Sequence, residues 1–391
     1  MIRCTVGVFA YNEAHNVRRT LHALLSQQLD QVELAEIIVI ASGCTDGTVE
    51  LAEEIANTYP IVTVDVEPTR SGKAAAIKRL TKIARGEIIV LVGADTLPAP
   101  TALENLVSPF ASPEVGMTGA RVIPLNNPGR FLGFSVQMLW HVHHQLAVRR
   151  PKLGELVAFR NVVEIPEDTS TDEPAIEALI TAKGYRLAYA PTAVVYNRGP
   201  ETFRDFLNQR RRVFAGQVGI ALRYGYLTSS LRLQHAIPLI FDAARTYPTF
   251  MLWTVGAMAV ELFARLLGFV DAVLGHEKAI WLPIASSKRV VKAPEATDLS
   301  LIYVRWAPGS LDSARLLRDL QQLPDPVGSV VWWDGHQGEA LLKLGAEQAA
   351  VEWIETQIQT ASRDYASPEA VESPFISCRL VKFQSAPPLA S

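Results

Sequence analysis

Polar residues that can bind charged ligands cluster in four short segments of the first hundred residues. Each segment comes directly after a predicted strand or directly before a predicted helix. In chain order they are Tyr11-Asn12-Glu13, the loop 41–48 (ASGCTDGT), Arg70-Ser71-Gly72-Lys73 and Gly93-Ala94-Asp95-Thr96. The set combines carboxylates, an arginine, a lysine and turn glycines. This mixture predicts a ligand-binding site built from several separate loops.

Each segment also has an ordinary structural explanation. Asp46-Gly47-Thr48 is typical of a turn that ends in a helix cap, and Gly72-Lys73 of a helix start. The latter is not part of a P-loop, because Glu67 stands at the first glycine position and Ala74 replaces the Ser or Thr. No Gly-x-Gly-x-x-Gly follows the first strand, which argues against a dinucleotide site. The ordered combination is more informative than any single segment.

The elements that must position these segments alternate between apolar runs and amphipathic stretches. The runs predict strands over Ile2–Ala10, Glu36–Ile40, Ile61–Val66 and Glu87–Val92, with helices over Thr48–Tyr59, Gly72–Arg85 and around Val17, Leu21, Leu24 and Leu25. Continuous apolar runs are typical of parallel strands buried on both faces. Repeated strand–helix units predict a right-handed, doubly wound α/β fold with a mostly parallel sheet. Ligands of such sheets bind beyond the carboxyl ends of the strands, where the polar segments lie.

The chain is less regular between residues 125 and 170. Later elements are predicted as helices over Phe131–Val148, Asp172–Lys183 and Thr202–Tyr224, and as strands over Tyr185–Ala190 and Ala193–Asn197. The first of these helices carries His141, His143 and His144. They can approach a ligand, although we favour a surface or an interface for them. On the arginine-rich last helix, Arg210 and Arg211 are expected to face outward.

A strongly apolar segment follows at residues 235–274. Its uncharged part, Thr246–Val260, is shorter than the roughly 20 residues that a transmembrane helix needs. The continuation to Leu274 contains Glu261, Arg265 and Asp271, which are costly in lipid. A membrane span, an interfacial or re-entrant helix pair and a buried core helix all remain compatible with this pattern.

Composition limits the classes of function. A net charge of −3 over 391 residues argues against a protein that binds nucleic acid through its overall charge. Cys4, Cys44 and Cys378 lie far apart, so they indicate no disulfide framework and favour a reducing compartment. The first ten residues read as a strand, without the apolar stretch and cleavage site of a signal peptide. We therefore expect a protein on the cytoplasmic side of the membrane, peripheral or shallowly inserted.

The ordered motifs resemble those of the family 2 glycosyltransferases with a GT-A fold, over about residues 4–220. The resemblance is carried by Tyr11-Asn12-Glu13, Gly43–Thr48, Ala94–Pro98, Thr171-Asp172-Glu173 before Gly184-Tyr185, and Gln209–Val213. The last of these is similar to the Gln-x-x-Arg-Trp motif of membrane-associated members that make polysaccharides or glycolipids. The resemblance implies an inverting enzyme that moves a sugar from a UDP- or GDP-sugar donor to a lipid-linked or glycan acceptor at a membrane surface.

The resemblance also implies roles for individual residues. Asp95 would hold Mg²⁺ or Mn²⁺ against the donor diphosphate. Glu173 is the implied general base, and Asp172 would orient the acceptor, or act as the base if the register slips by one residue. The implied donor-binding residues are Tyr11, Glu13, Ser42, Asp46, Arg70, Lys73, Asp95, Gln209 and Arg212. Gln209 and Arg212 are three residues apart and so share one helix face.

Two of these groups have competing explanations, and three positions depart from the family pattern. Asp172 and Glu173 also fit the acidic start of a helix, and the Gln209–Val213 stretch fits a solvated or headgroup-facing basic surface.

Gly93 stands where the family's Asp-x-Asp motif has its first acid, Ser42 replaces an acid that often reads the base, and Val213 replaces tryptophan. A nucleotidyltransferase of similar fold and a non-catalytic nucleotide-sugar-binding scaffold are the alternative functions.

Three domains are expected. They are a catalytic domain at 1–225, an apolar helical membrane-associated segment at 226–290 and a small α/β domain of unknown role at 291–391. In the last, strands are predicted over Leu299–Trp306, Gly328–Asp334 and Phe375–Phe383, with helices over Ser310–Leu320 and between Asp334 and about Ala361.

Overall fold

The structure is a computed structural model. It describes residues 1–127, 129–166, 172–231 and 251–275, together with four strands between residues 300 and 382. The chain divides into two compact units, Met1–Arg289 and Val290–Ser391, which we describe separately.

The first unit alternates strands and helices. Its strands are β1 (Ile2–Ala10), β2 (Val32–Ser42), β3 (Val62–Glu67), β4 (Ile88–Gly93), β5 (Leu97–Pro98), β6 (Val115–Pro124), β7 (Val157–Arg160) and β8 (Arg186–Asn197). Its helices are α1 (Val17–Leu25), α2 (Thr48–Thr58), α3 (Lys73–Ile83), α4 (Ala102–Val107), α5 (Phe131–Arg149), α6 (Asp172–Ala182), α7 (Phe203–Tyr224) and α8 (Met251–Val273). Short 3₁₀ turns lie at Ser108–Ala111 and Ser229–Leu231.

One eight-stranded sheet organises this unit, in the order β3-β2-β1-β4-β7-β6-β8-β5. The strands β3, β2, β1 and β4 run parallel, as do β6 and β8, whereas β7 is antiparallel to both β4 and β6. Alternate residues of β4 enter opposite cores: Val90 packs with α1, α2 and α4, and Ile89 with α3 and α6. Burial on both faces explains the continuous apolar runs. The predicted α/β fold with a mostly parallel sheet is confirmed.

Three strands differ from the sequence-based expectation. The stretches predicted as Tyr185–Ala190 and Ala193–Asn197 form the single strand β8, whose pairing with β6 shifts register between Ala120 and Arg121. The strands β6 and β7 were not predicted. β6 (VGMTGARVIP) contains two glycines and ends on proline, and β7 has only four residues, so their propensity signals are weak. Both form because partner strands bury them on either side.

Helix α8 packs on α7 through charged side chains. The Arg210 guanidinium donates to Glu261 at 2.7 and 2.9 Å, and Arg211 donates to Asp271 at 2.5 Å. Arg265 also donates to Glu261, at 2.8 Å. The expectation that Arg210 faces outward is therefore wrong, whereas the Arg211 side chain remains 41% exposed although it forms an ion pair.

The apolar side chains of α8 lie on its remaining surface. They include Leu252, Leu262, Leu266, Phe269 and Val273, all exposed. This helix is long and apolar enough to cross a membrane, and 22% of its apolar window is buried inside the protein. A buried core helix is therefore excluded for α8. Residues 235–250 of the predicted apolar segment lie outside the described residues.

The second unit contains a four-stranded antiparallel sheet in the order β10-β11-β9-β12. Its strands are β9 (Ser300–Trp306), β10 (Ser329–Asp334), β11 (Glu339–Leu344) and β12 (Ile376–Lys382). The helix predicted between Asp334 and Ala361 is wrong over Glu339–Leu344, where alternating cross-strand pairs with β9 and β10 form a strand. The predicted helix over Ser310–Leu320 lies outside the described residues.

Candidate functional site

The loops after β1 and β2 are fastened to each other by hydrogen bonds. The Thr45 amide donates to Asn12 Oδ1 at 2.8 Å, and the Glu13 amide donates to Thr48 Oγ1 at 2.8 Å. Asp46 accepts from the amides of Ala14 and Thr48, both at 3.2 Å. Burial would raise the pKa of Asp46, but these hydrogen bonds outweigh it and hold the pKa below its usual value. The Asp46 carboxylate thus shapes the loop on which a ligand would rest.

Tyr11 and Arg70 meet at the edge of the sheet. The Arg70 guanidinium lies over the Tyr11 ring, 3.9 Å from its centroid. Gly43 makes this approach possible: its φ is +65°, and a Cβ there would lie 2.7 Å from the Arg70 amide nitrogen. Ser42 Oγ accepts from the Ser71 amide at 3.2 Å. Three of the four polar segments therefore come together, as the sequence predicted for the carboxyl ends of parallel strands.

Lys73 joins this edge to α6, about a hundred residues later in the chain. Its Nζ lies 2.9 Å from Asp172 Oδ2 and donates to Glu173 Oε1 at 2.8 Å. Both acids begin α6, where the helix dipole also favours negative charge. The helix-start explanation therefore holds, and it is compatible with the predicted role of these acids at a site.

The two acids differ in electrostatic state. Burial raises the pKa of Asp172 above its usual value in spite of Lys73. Burial acts in the same direction on Glu173, but Lys73 and the hydrogen bond it donates prevail and lower the pKa of that carboxyl. Because the two groups share one cation, they titrate as a pair rather than separately.

Arg212 reaches the same region from α7. It is half-buried, and burial lowers its pKa to about 10, helped by the like charge of Arg70 and opposed by Asp172. Two guanidinium groups therefore repel each other across the site, an arrangement that an anion between them would relieve. Gln209 is half-buried one turn earlier on the same helix.

Asp95 stands in the turn after β4, half-buried. The turn is closed by Thr96, whose amide and hydroxyl donate to the Gly93 carbonyl at 3.1 and 2.8 Å. Facing Asp95 is a carboxylate that sequence reasoning missed, Glu155, which is affected by the charges of Asp95, Glu173 and Lys73. It was missed because it precedes β7, a strand that was itself not predicted.

Glu13 and two of the three histidines of α5 are buried. Glu13 is 6% exposed and accepts from Asn16 Nδ2 at 2.9 Å. His143 and His144 are buried, and His144 Nδ1 lies 2.8 Å from the Tyr189 hydroxyl. Of the two positions expected for these histidines, a surface or an interface, the surface is wrong for His143 and His144. Since α5 packs on the sheet, they belong to its packed face.

The donor set suits a cation that takes part of its ligands from phosphate. Over the described residues, no group of three or more His, Cys, Asp or Glu side chains is placed to hold a metal ion. Mg²⁺ and Mn²⁺ commonly use one or two protein carboxylates and complete their oxygen shell with phosphates and water. Asp95 offers one carboxylate of this kind in the turn after β4.

The family models and relatives that match this chain are all glycosyltransferases. Residues 5–154 match the family model "Glycosyl transferase family 2", and residues 88–275 match "Glycosyl transferase family group 2". Poly-beta-1,6-N-acetyl-D-glucosamine synthase of Staphylococcus aureus is 26% identical over 248 residues, which are 59% of this chain and 58% of that protein. Glycosyltransferase AglE of Haloferax volcanii is 26% identical over 229 residues, 55% of this chain and 73% of that protein. The chain thus spans less than two thirds of the synthase's length.

A solved structure is also similar. It is the mannosyltransferase PcManGT from Pyrobaculum calidifontis in complex with GDP-Man and Mn²⁺, with 25% sequence identity and a TM-score of 0.50. The match covers 70% of this chain and 88% of that one.

Proposed function

We propose that this chain, which matches glycosyltransferase family models over residues 5–154 and 88–275, is a family 2 glycosyltransferase that transfers a sugar from a nucleoside-diphosphate donor to an acceptor hydroxyl with inversion. One observation carries the proposal. Lys73 brings the acids of α6 to the sheet edge where Asp95, Arg70 and Arg212 also lie. Positive groups for a diphosphate and an acid for a nucleophile therefore share one site.

The donor would lie across the ends of β1, β2 and β4. Arg70 and Arg212 would bind the diphosphate, and the Tyr11 and Ser42 loops would contact the nucleoside. A divalent cation, Mg²⁺ or Mn²⁺, bound by Asp95, would neutralise the charge that develops on the leaving diphosphate. The mannosyltransferase of similar fold was solved with GDP-Man and Mn²⁺, which supports a GDP- or UDP-sugar and a metal for this chain.

Inversion requires a proton acceptor on the face of the sugar opposite the diphosphate. The acceptor hydroxyl oxygen bonds to the anomeric carbon, its proton passes to a carboxylate, and the bond from that carbon to the diphosphate oxygen breaks. The family register assigns the carboxylate to Glu173. Asp172 contacts the same lysine, and because the two acids titrate as a pair, Asp172 is the alternative base that the test must separate from Glu173.

The acceptor is proposed to be lipid-linked or a glycan held near a membrane. Helix α8 directs its charged side chains to α7 and leaves an apolar surface exposed, which suits a helix lying in the interfacial region of a bilayer. The synthase that matches this chain is named for a polysaccharide. We place the active site on the cytoplasmic side, with the protein peripheral or shallowly inserted.

The test measures nucleoside-diphosphate release from a panel of UDP- and GDP-sugars, with Mn²⁺ or Mg²⁺ and bacterial lipid extract. Glu173→Gln and Asp172→Asn are compared, and Asp95→Asn tests the cation. Loss of the true base lowers turnover by about 10²–10⁴-fold. Glu164→Gln is the matched control, since its side chain is 81% exposed and should leave turnover unchanged.

Three results would contradict the proposal. Turnover undiminished in all three site variants would exclude the assigned site. Release of pyrophosphate in place of a nucleoside diphosphate would identify a nucleotidyltransferase, and binding of a donor with no release of either product would identify a non-catalytic nucleotide-sugar-binding scaffold. Proton NMR of the product, read at the anomeric position, decides inversion against retention.

A further inference from the structure

Glu155 lies where the pairing of β4 and β7 predicts a neighbour for Gly93. These strands are antiparallel, with Val90 opposite Ala158 and Leu91 opposite Val157. Continuing the same register by two residues brings Gly93 opposite Glu155. Gly93 is the position at which the resembling family carries the first acid of its Asp-x-Asp motif. An acid that is absent at the end of β4 is therefore present two residues before β7 begins.

The backbone of Glu155 adopts a conformation that a glutamate rarely takes. Its φ is +60°, in the left-handed region, although Gly154 directly before it would enter that region at less cost. Non-glycine residues held there persist where surrounding contacts fix them, and such positions concentrate at functional sites. The Glu155 carboxylate is close enough to Asp95, Glu173 and Lys73 for their charges to act on it.

Asn197, at the end of β8, contacts Glu155 from the other side. Its side chain donates a hydrogen bond to the Glu155 carboxylate and is 8% exposed. Its carbonyl oxygen Oδ1 is fully buried and has no hydrogen-bond partner among the described residues. Buried amide oxygens are nearly always paired, and an unpaired one is an oxygen ligand of the kind that hard cations take. This second observation is independent of the carboxylates.

The charges around Glu155 also call for a cation. The negative charges of Asp95 and Glu173 act on Glu155, and the positive charge of Lys73 opposes them. Lys73 is already engaged with the two acids of α6. A divalent ion between Asp95 and Glu155 would balance both carboxylates.

We propose that Glu155 supplies the second carboxylate of the cation site, in place of the acid that Gly93 lacks, with Asn197 Oδ1 as a further oxygen ligand. The glycine is part of the arrangement, because a Cβ at position 93 would lie 2.6 Å from Asp95 Oδ1. Two carboxylates, one amide oxygen and the donor's phosphate oxygens supply the ligands that Mg²⁺ or Mn²⁺ takes. This inference rests on the proposed metal-assisted transfer.

The test measures Mn²⁺ affinity directly, without turnover. Electron paramagnetic resonance counts free Mn²⁺ during titration of the full chain with saturating UDP, and again with GDP. Wild type is compared with Glu155→Gln, Asp95→Asn and Asn197→Ala, and with Glu53→Gln as the control on the exposed surface of α2. We expect Glu155→Gln to weaken Mn²⁺ binding tenfold or more, the size of effect that groups around a bound metal have. Thermal unfolding of each variant establishes that it is folded.

Wild-type Mn²⁺ affinity in a folded Glu155→Gln protein would overturn the inference while leaving the proposed function in place. Absence of Mn²⁺ binding in wild type with both nucleotides would instead contradict the metal-assisted function itself. If Glu155→Gln does not fold, Glu155→Asp takes its place, because it keeps the charge and shortens the side chain. A folded Glu155→Asp protein should bind Mn²⁺ more weakly than wild type, and equal affinity would overturn the inference.

Discussion

Replacing Lys73 by methionine should both destabilise the protein and disturb its proposed base. Lys73 Nζ lies 2.9 Å from Asp172 and 2.8 Å from Glu173. At an effective dielectric constant of 20, Coulomb's law gives about 6 kcal/mol for each contact before desolvation is subtracted. Removing one partner of a buried pair typically costs about 3–5 kcal/mol, because the other charge stays buried. The Lys73 side chain is 38% exposed, so solvent screens it and we expect the lower end, about 3 kcal/mol at pH 7.5.

The loss should depend on pH with a definite sign. Without Lys73 the pKa of the Asp172–Glu173 pair rises, and one carboxyl binds a proton as the pH falls. Protonation removes the repulsion between the acids, so the loss should shrink by pH 5. In turnover, the acid limb of the pH–rate profile should move to higher pH, because the base then loses its proton only at higher pH.

Urea unfolding at pH 7.5 and pH 5 measures the loss, with Lys78→Met as the matched control. Lys78 lies on the same helix and pairs at 3.5 Å with Glu164, whose side chain is 81% exposed, so its removal should cost less than about 1 kcal/mol. The reasoning is refuted if Lys73→Met and Lys78→Met unfold at the same urea concentration, or if the loss is equal at both pH values.

Two further substitutions test buried charges elsewhere in the first unit. Burial raises the pKa of Glu177 from 4.5 to about 7, so the folded state binds this proton more tightly and stability falls as pH rises from about 4.5 to about 7. Glu177→Gln should remove up to about 3 kcal/mol of that fall in stability. Thermal unfolding at pH 5 and pH 8 measures the difference, and wild-type and variant stabilities that change equally with pH would contradict the prediction. Arg210→Met removes one of the two arginines that pair with Glu261 and should lower the free energy of unfolding by about 3 kcal/mol. Arg3→Met removes an exposed ion pair with Glu33 and should lower it by less than about 1 kcal/mol in the same urea experiment. Equal losses for the two arginines would show that the contact between α7 and α8 contributes little.

Much of the site could be predicted because it follows the regular part of the fold. Tyr11, Ser42 and Asp95 come directly after parallel strands, and the carboxyl ends of such strands share one edge. Lys73 begins the helix after β3, which places it at that edge as well. For these residues, local hydrophobic patterning is enough to give the position of the side chain.

The parts that were mispredicted depend on partners distant in sequence. Glu155 comes before a four-residue strand that exists only because β4 and β6 bury it on both sides. Arg210 was predicted to face solvent, but it forms an ion pair with Glu261, which lies 51 residues later in the chain. A surface or an interface was predicted for His144, and its ring nitrogen shares a hydrogen bond with the Tyr189 hydroxyl on β8.

The sequence by itself determined the alternation of strands and helices, the mostly parallel sheet and the edge at which charged loops gather. It could do so because period and turn chemistry are local properties of the chain. Only the tertiary structure decided which charges meet: Lys73 with the acids of α6, Arg210 with Glu261, and Glu155 with Asp95. Such pairings depend on strand register and helix packing, which local propensity does not encode. They determine whether a buried carboxylate stabilises the fold or is available to bind a cation.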